Sequence, residues 1–116
     1  MTTLNNTPII KHLLSVLRDK KTKTAEYRRY SDRIMRLLCE EAIASQLDKP
    51  ERRLSPTGEY YDHYSMKHAE EDYCCVSIIR AGDSMIGEIF DLMPNITCGK
   101  VLVQRDEETA EPIFFY

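Results

Sequence analysis

The sequence has 116 residues, 42% of them hydrophobic, 30% charged and 9% aromatic, with a net charge of −3 and a pI near 5.6. That length suits one small domain with a modest core and excludes two, and the mild acidity argues against nucleic acid as a partner of the whole chain. No run of about 18 apolar residues offers a membrane span, and Met1 to Thr7 carries no apolar signal core, so the expectation is a soluble chain with no membrane partner, in the cytoplasm first and the nucleus second.

Thr7-Pro8 reads as a helix start, since threonine caps and proline suits the first helical position, and Ile9, Ile10, Leu13, Leu14 and Leu17 then recur at helical spacing as far as Arg18. Asp19 to Lys23 is polar and basic. Thr24 is placed to cap a longer helix that buries Tyr27, Tyr30, Ile34, Leu37, Leu38 and Ala42 and fades near Gln46, so residues 8–46 form a helical arm. Glu40 and Glu41 fall late in this helix, where the dipole disfavours them, and should face cations or solvent. Between Lys11 and Arg36 stand nine Lys or Arg against three acids. That excess is either a solvated helix face or a surface for an anion or nucleotide.

Residues 47–72, with Pro50, Pro56 and Gly58, read as an insertion loop or hairpin around the turn Ser55-Pro56-Thr57-Gly58. Residues 73–116 then begin an α/β core. Cys75 to Ile79 is a short buried strand, Asp83 to Met93 carries Met85, Ile86, Ile89, Phe90 and Met93 at helical spacing, and Pro94-Asn95 stops that helix. Lys100 to Gln104 is a second strand and Pro112 to Tyr116 a third. Strand, helix, strand with short joins is a βαβ unit and requires a parallel sheet. Ile113 to Tyr116 is the most apolar tetrad of the second half and runs straight off the chain, so we expect it to lack a partner strand, in a domain that stops short.

Cys39, Cys74, Cys75 and Cys98 form no Cys-x-x-Cys pair, which fits buried, reduced thiols better than a disulfide or zinc corner. His12, His63 and His68 are scattered, and no metal site is expected.

The join after the first core strand, Ile79-Arg80-Ala81-Gly82-Asp83-Ser84, has a glycine for a tight loop, Asp83 or Ser84 to cap the helix, and a guanidinium at Arg80. At the carboxyl end of a parallel strand, free helix-start N–H groups and a planar cation suit an anion, although Arg80 could equally pair with a surface carboxylate. After the second strand comes Gln104-Arg105-Asp106-Glu107-Glu108-Thr109, either a solvated loop or carboxylates that do acid-base work or hold Arg105. No Gly-x-x-x-x-Gly-Lys-Ser/Thr loop, Gly-x-Ser-x-Gly elbow or His-Glu-x-x-His helix is present.

Taken in order, Leu17-Arg18-Asp19-Lys20, Tyr30-Ser31-Asp32-Arg33-Ile34-Met35-Arg36-Leu37-Leu38, Pro56-Thr57-Gly58, Val76-Ser77-Ile78-Ile79-Arg80-Ala81-Gly82 and Arg105-Asp106-Glu107-Glu108-Thr109 resemble the eukaryotic type of uracil phosphoribosyltransferase from about Pro8 to Tyr116. The uracil-phosphoribosyltransferase-like domains fused to uridine-cytidine kinases share the early helices but typically lose the last motif, so the chain looks like the enzyme branch. Asp83 where the family usually shows Glu, and Glu70-Glu71-Asp72, are departures.

The resemblance implies a type I phosphoribosyltransferase fold, a parallel sheet with helices on both faces, here its N-terminal half with a helical arm. It implies transfer of phosphoribosyl from 5-phosphoribosyl 1-diphosphate to uracil, giving UMP and diphosphate in pyrimidine salvage, with Mg²⁺ accompanying the diphosphate. Arg80 and Arg105 match family positions that contact phosphoribosyl diphosphate. Lys20 and Arg29 are the residues nominated for an allosteric GTP site, and a homo-oligomer is expected. The family's phosphoribosyl-binding signature, an Asp-Pro and a Thr-Gly-Gly turn, and its uracil-recognition segment do not occur in the sequence, which implies that this chain alone is inactive. The alternative is a non-catalytic interaction or regulatory subunit.

Overall fold

The computed structural model describes residues 7–116. Helix α1 (Pro8–Arg18) begins as its residues require, with Thr7 extended at the N-cap and Pro8 at the first position, and it turns Ile10 and Leu13 inward onto α2 (Thr24–Ala44). The polar segment between them is a tied turn. Thr22 Oγ1 donates to the Val16 carbonyl at 2.6 Å and the Lys21 amide donates to Asp19 Oδ1 at 2.9 Å. Lys23 takes the N-cap of α2, one residue before the cap expected at Thr24.

The buried face expected of α2 forms only in part, with Tyr30, Ile34 and Leu37 half-buried. Cys39 is its one buried residue among those described, while Tyr27 is 51% and Leu38 46% exposed. A helix of 21 residues is about 32 Å long at 1.5 Å per residue, and α1 and α3 (Asp83–Leu92) cover only parts of it. Glu40 faces solvent, as expected. His12 of α1 meets the Tyr30 ring edge-on at 5.7 Å.

Residues 47–72 form the hairpin. Strands β1 (Glu51–Leu54) and β2 (Tyr60–His63) pair antiparallel, and Gly58 supplies a φ of +86° in the turn, a conformation that favours glycine. The Ser55 amide donates to the Glu59 carbonyl at 2.8 Å, closing that turn. A bridge between Leu47 and Met66 continues the ladder toward the body.

A 3-10 turn, Glu70–Asp72, leads into β3 (Cys74–Ile79), which is joined through α3 to β4 (Thr97–Arg105). β3 and β4 are parallel, from Cys74 opposite Thr97 to Ile79 opposite Leu102, so the βαβ unit is present. The third strand differs from expectation. β5 (Pro112–Phe114) has a partner, running antiparallel on β4 with Phe114 opposite Val103, and Phe115 continues the ladder by donating to the Leu102 carbonyl at 2.8 Å. The join 106–111 is too short for a parallel crossover, so the chain turns back as a hairpin instead.

Helices α2 and α3 lie over one face of the sheet, where Ser77 is 3% exposed and Met93 is buried. On the other face Val76, Ile78 and Phe114 are all more than half exposed. Arg36 fastens α2 to α3 with two hydrogen-bonded ion pairs of 2.8 Å, to Glu88 and Asp91. All four cysteines are free, but only Cys39 is buried; Cys74 shares the open face with Val76, and Cys98 is exposed near the start of β4. The molecule measures 65 × 38 × 25 Å.

Candidate functional site

Alternation along β3 places Cys75, Ser77 and Ile79 toward the helices, and Ser77 brings a hydroxyl into otherwise apolar surroundings. A buried hydroxyl needs a partner. Ser77 Oγ donates to Asp83 Oδ1 at 2.7 Å, while Lys100 Nζ, from the residue opposite Ser77 on β4, reaches Asp83 Oδ2 at 3.3 Å. Asp83 or Ser84 was expected as the helix cap. Gly82 takes that position, and the Asp83 carboxylate ties the first residue of α3 to both parallel strands. The Ser77 hydrogen bond, followed by Lys100, holds its carboxyl below the usual aspartate range.

The loop between β3 and α3 is closely packed on itself. Gly82 donates to the Ile78 carbonyl at 2.9 Å, and a Cβ placed on it would lie 2.7 Å from the Ile78 nitrogen and 2.8 Å from Ser77 Oγ. Glycine is required here for space, its φ of −59° being ordinary. The amides of Asp83, Ser84 and Met85 donate to the carbonyls of Arg80, Ala81 and Gly82 at 3.1 to 3.2 Å. The helix-start N–H groups expected to be free for an anion are therefore engaged by the loop itself. What the loop offers outward is Arg80, exposed at the carboxyl end of β3.

Arg105 ends β4 and is likewise exposed. Because the two strands are parallel neighbours, both arginines leave the sheet at the same end. Neither guanidinium has a carboxylate partner among the described residues, so the surface ion pair considered for Arg80 is not made. The acidic segment after Arg105 is an ordered turn. Asp106 Oδ1 accepts from the amides of Glu108 and Thr109, both at 2.9 Å, and these two bonds hold the Asp106 carboxyl below its usual range. Ala110 completes the turn with a φ of +59°. Asp106 thus shapes the loop, while Glu107 and Glu108 remain exposed.

Lys20 lies in the turn between α1 and α2, and Arg29 stands on α2 with its guanidinium 5.5 Å from the Tyr30 ring centre. Neither is brought to the strand ends by any contact among the described residues. Arg28 lies closer to the loop, lining with Thr24, Ser31 and Ser84 a cleft of about 320 Å³ between α2 and the start of α3. Among the described residues, no group of three or more His, Cys, Asp or Glu is arranged to hold a metal ion.

Sequence reasoning placed both arginines after strands and Gly82 in a tight loop, as the structure does, but did not single out Ser77 and Lys100. The available signal was a hydroxyl residue inside Cys-Cys-Val-Ser-Ile-Ile and a lysine inside the facing strand, each a polar residue where an apolar one was expected.

A family model described as uracil phosphoribosyltransferase matches residues 4–116. The chain belongs to the uracil phosphoribosyltransferase family. It is 42% identical over 104 residues to a uracil phosphoribosyltransferase of Lachancea kluyveri, covering 90% of this chain and 47% of that protein. It is 38% identical over 107 residues to one of Dictyostelium discoideum, covering 92% and 48%. The solved structure of the AQ2163 protein from Aquifex aeolicus superposes with a TM-score of 0.65 at 27% identity, covering 94% of this chain and 51% of that one. The architecture is accordingly that of a type I phosphoribosyltransferase, and the chain spans about half the length of the curated relatives it matches.

Proposed function

We propose that this chain supplies the diphosphate-binding part of a uracil phosphoribosyltransferase, which transfers phosphoribosyl from 5-phosphoribosyl 1-diphosphate to uracil in pyrimidine salvage. The observation that carries the reading is the placement of Arg80 and Arg105, two exposed guanidinium groups without carboxylate partners among the described residues, at the same end of neighbouring parallel strands. Displacement at the sugar carbon has oxocarbenium character and releases a highly charged diphosphate, so cations aimed at the leaving group stabilise the transition state more than the ground state. Gly82 and the Ser77–Asp83–Lys100 cluster hold the loop that presents Arg80.

In this reading Mg²⁺ arrives with phosphoribosyl diphosphate and takes its ligands from substrate oxygens and water. The resemblance implies a ribose 5-phosphate cradle and a uracil pocket built from motifs that this sequence does not contain, and the match spans about half of the relatives' length, so in this reading the isolated chain is inactive. GTP acting through Lys20 and Arg29, a homo-oligomer, and a cytoplasmic location with the nucleus second complete the proposal.

The test is a chimera. This chain alone, with Mg²⁺, uracil and phosphoribosyl diphosphate, yields no UMP above a boiled control, whereas the chain joined to the second half of the Lachancea kluyveri relative does. A folded, soluble chimera without turnover, or turnover by the chain alone, overturns the reading.

A further inference from the structure

Cys75 and Cys98 are in-register neighbours on the parallel strands β3 and β4. Adjacent strands lie about 4.8 Å apart, and in-register residues of a parallel pair project from the same face. Their Cα separation therefore falls inside the window of about 4.4 to 6.8 Å that a disulfide bridges. Cys74 is turned the other way, its Sγ 3.9 Å from where a Cβ on Gly99 would stand, on the open face with Val76. Cys39, the third thiol near Cys75, is 5% exposed on α2 and has no strand register to hold it opposite. Cys98 is exposed and Cys75 half-buried, so a reagent meets Cys98 first and finds Cys75 behind it.

We propose that Cys75 and Cys98 form a thiol modification site, which a low-molecular-mass disulfide such as oxidised glutathione converts into a cross-strand disulfide. The Cys98 thiolate attacks one sulfur of glutathione disulfide and expels a glutathione thiolate, leaving a mixed disulfide on Cys98. Cys75 then gives its proton to solvent, attacks the Cys98 sulfur and expels the second glutathione. The protein loses two hydrogens, and glutathione disulfide is reduced to two thiols. Burial pushes the Cys75 thiol up, with Cys98 adding to the effect, which leaves Cys98 as the first to react. A disulfide needs its Cβ atoms about 3.8 Å apart, so the strands draw together by about 1 Å, and the strained bond is easily reduced.

The experiment treats the reduced chain with oxidised glutathione and reads intact mass and tryptic peptides. The expected product has lost two hydrogens, links peptide 68–80 to peptide 81–100, and reverts with dithiothreitol. Cys74→Ser leaves this unchanged, Cys98→Ser abolishes it, and Cys75→Ser stops at the glutathione adduct on Cys98. A link involving peptide 37–52, loss of the product in Cys74→Ser, a persistent glutathione adduct on Cys98 in the parent, or dimers linked through Cys75 or Cys98 overturns the proposal.

Discussion

Ser77, buried in β3, donates a 2.7 Å hydrogen bond to the carboxylate of Asp83, the first residue of α3. The bond makes the start of the helix answer to the strand that precedes the Arg80 loop. Asp83 is held below its usual range first by this bond, and a carboxylate depressed in the fold stabilises it above the ordinary value, a contribution lost as pH falls through the depressed value. In Ser77→Ala the Asp83 midpoint, followed by carboxyl chemical shift, should rise toward that of an unfolded aspartate. An unchanged midpoint would mean that Lys100 alone sets it.

Gly82→Ala should damage both stability and the site. Its added Cβ meets the Ile78 backbone at 2.7 and 2.8 Å, atoms that move only if the strand moves. Overpacking of this kind costs about 1 to 3 kcal/mol. A lower melting temperature, with weakened phosphoribosyl diphosphate binding in the chimera, is the expected result.

In the chimera with the second half of a relative, Arg80→Ala and Arg105→Ala should each weaken use of phosphoribosyl diphosphate. A lost charge-assisted contact is worth about 1.5 to 3 kcal/mol, roughly tenfold to a hundredfold in the constant concerned. Arg80 should act mainly on KM, because its packed loop presents the cation before any chemistry. Steady-state kinetics with uracil saturating decide the matter, and parental constants within about twofold in both variants would make these surface residues.

The Asp106 turn should open in acid. Its carboxyl is held down by the Thr109 and Glu108 amides, so the turn is secured above the ordinary aspartate value and released as pH falls through the depressed one. Amide shifts of Glu108 and Thr109 should titrate with a midpoint below that of a free peptide of the same segment. Ala110→Gly relieves a left-handed alanine and should raise stability by up to about 1 kcal/mol, seen as a higher melting temperature.

If GTP activates the chimera as proposed, Lys20→Ala with Arg29→Ala should reduce that activation and leave the basal rate intact. Equal activation in variant and parent would remove both residues from the nucleotide site.

Elements with local signals were legible in the sequence. The stripe of Ile10 and Leu13, the Pro56-Gly58 turn and the two strands around Met85 to Met93 each depend on spacing or turn chemistry within a few residues, and all formed. Tyr27 and Leu38 have helical spacing too, but whether a stripe is covered depends on distant elements, and these two residues are left exposed. The partner of β5 was missed, although the 106–111 join is too short for a parallel crossover and that length was a signal for a reversal. At the site, Arg80 and Arg105 were visible as cations after strands. The engagement of the helix-start amides was not, because it depends on carbonyl directions inside a four-residue loop.

The outstretched hairpin and arm govern how the molecule travels through solvent. A compact chain of this length has a radius of gyration of roughly 13 Å, whereas this one has 18.6 Å. Its frictional drag exceeds that of a sphere of 13.5 kDa, so a monomer emerges early from a sizing column calibrated with compact standards and there resembles a dimer. Subunit number is better read by light scattering, which weighs the particle irrespective of its outline.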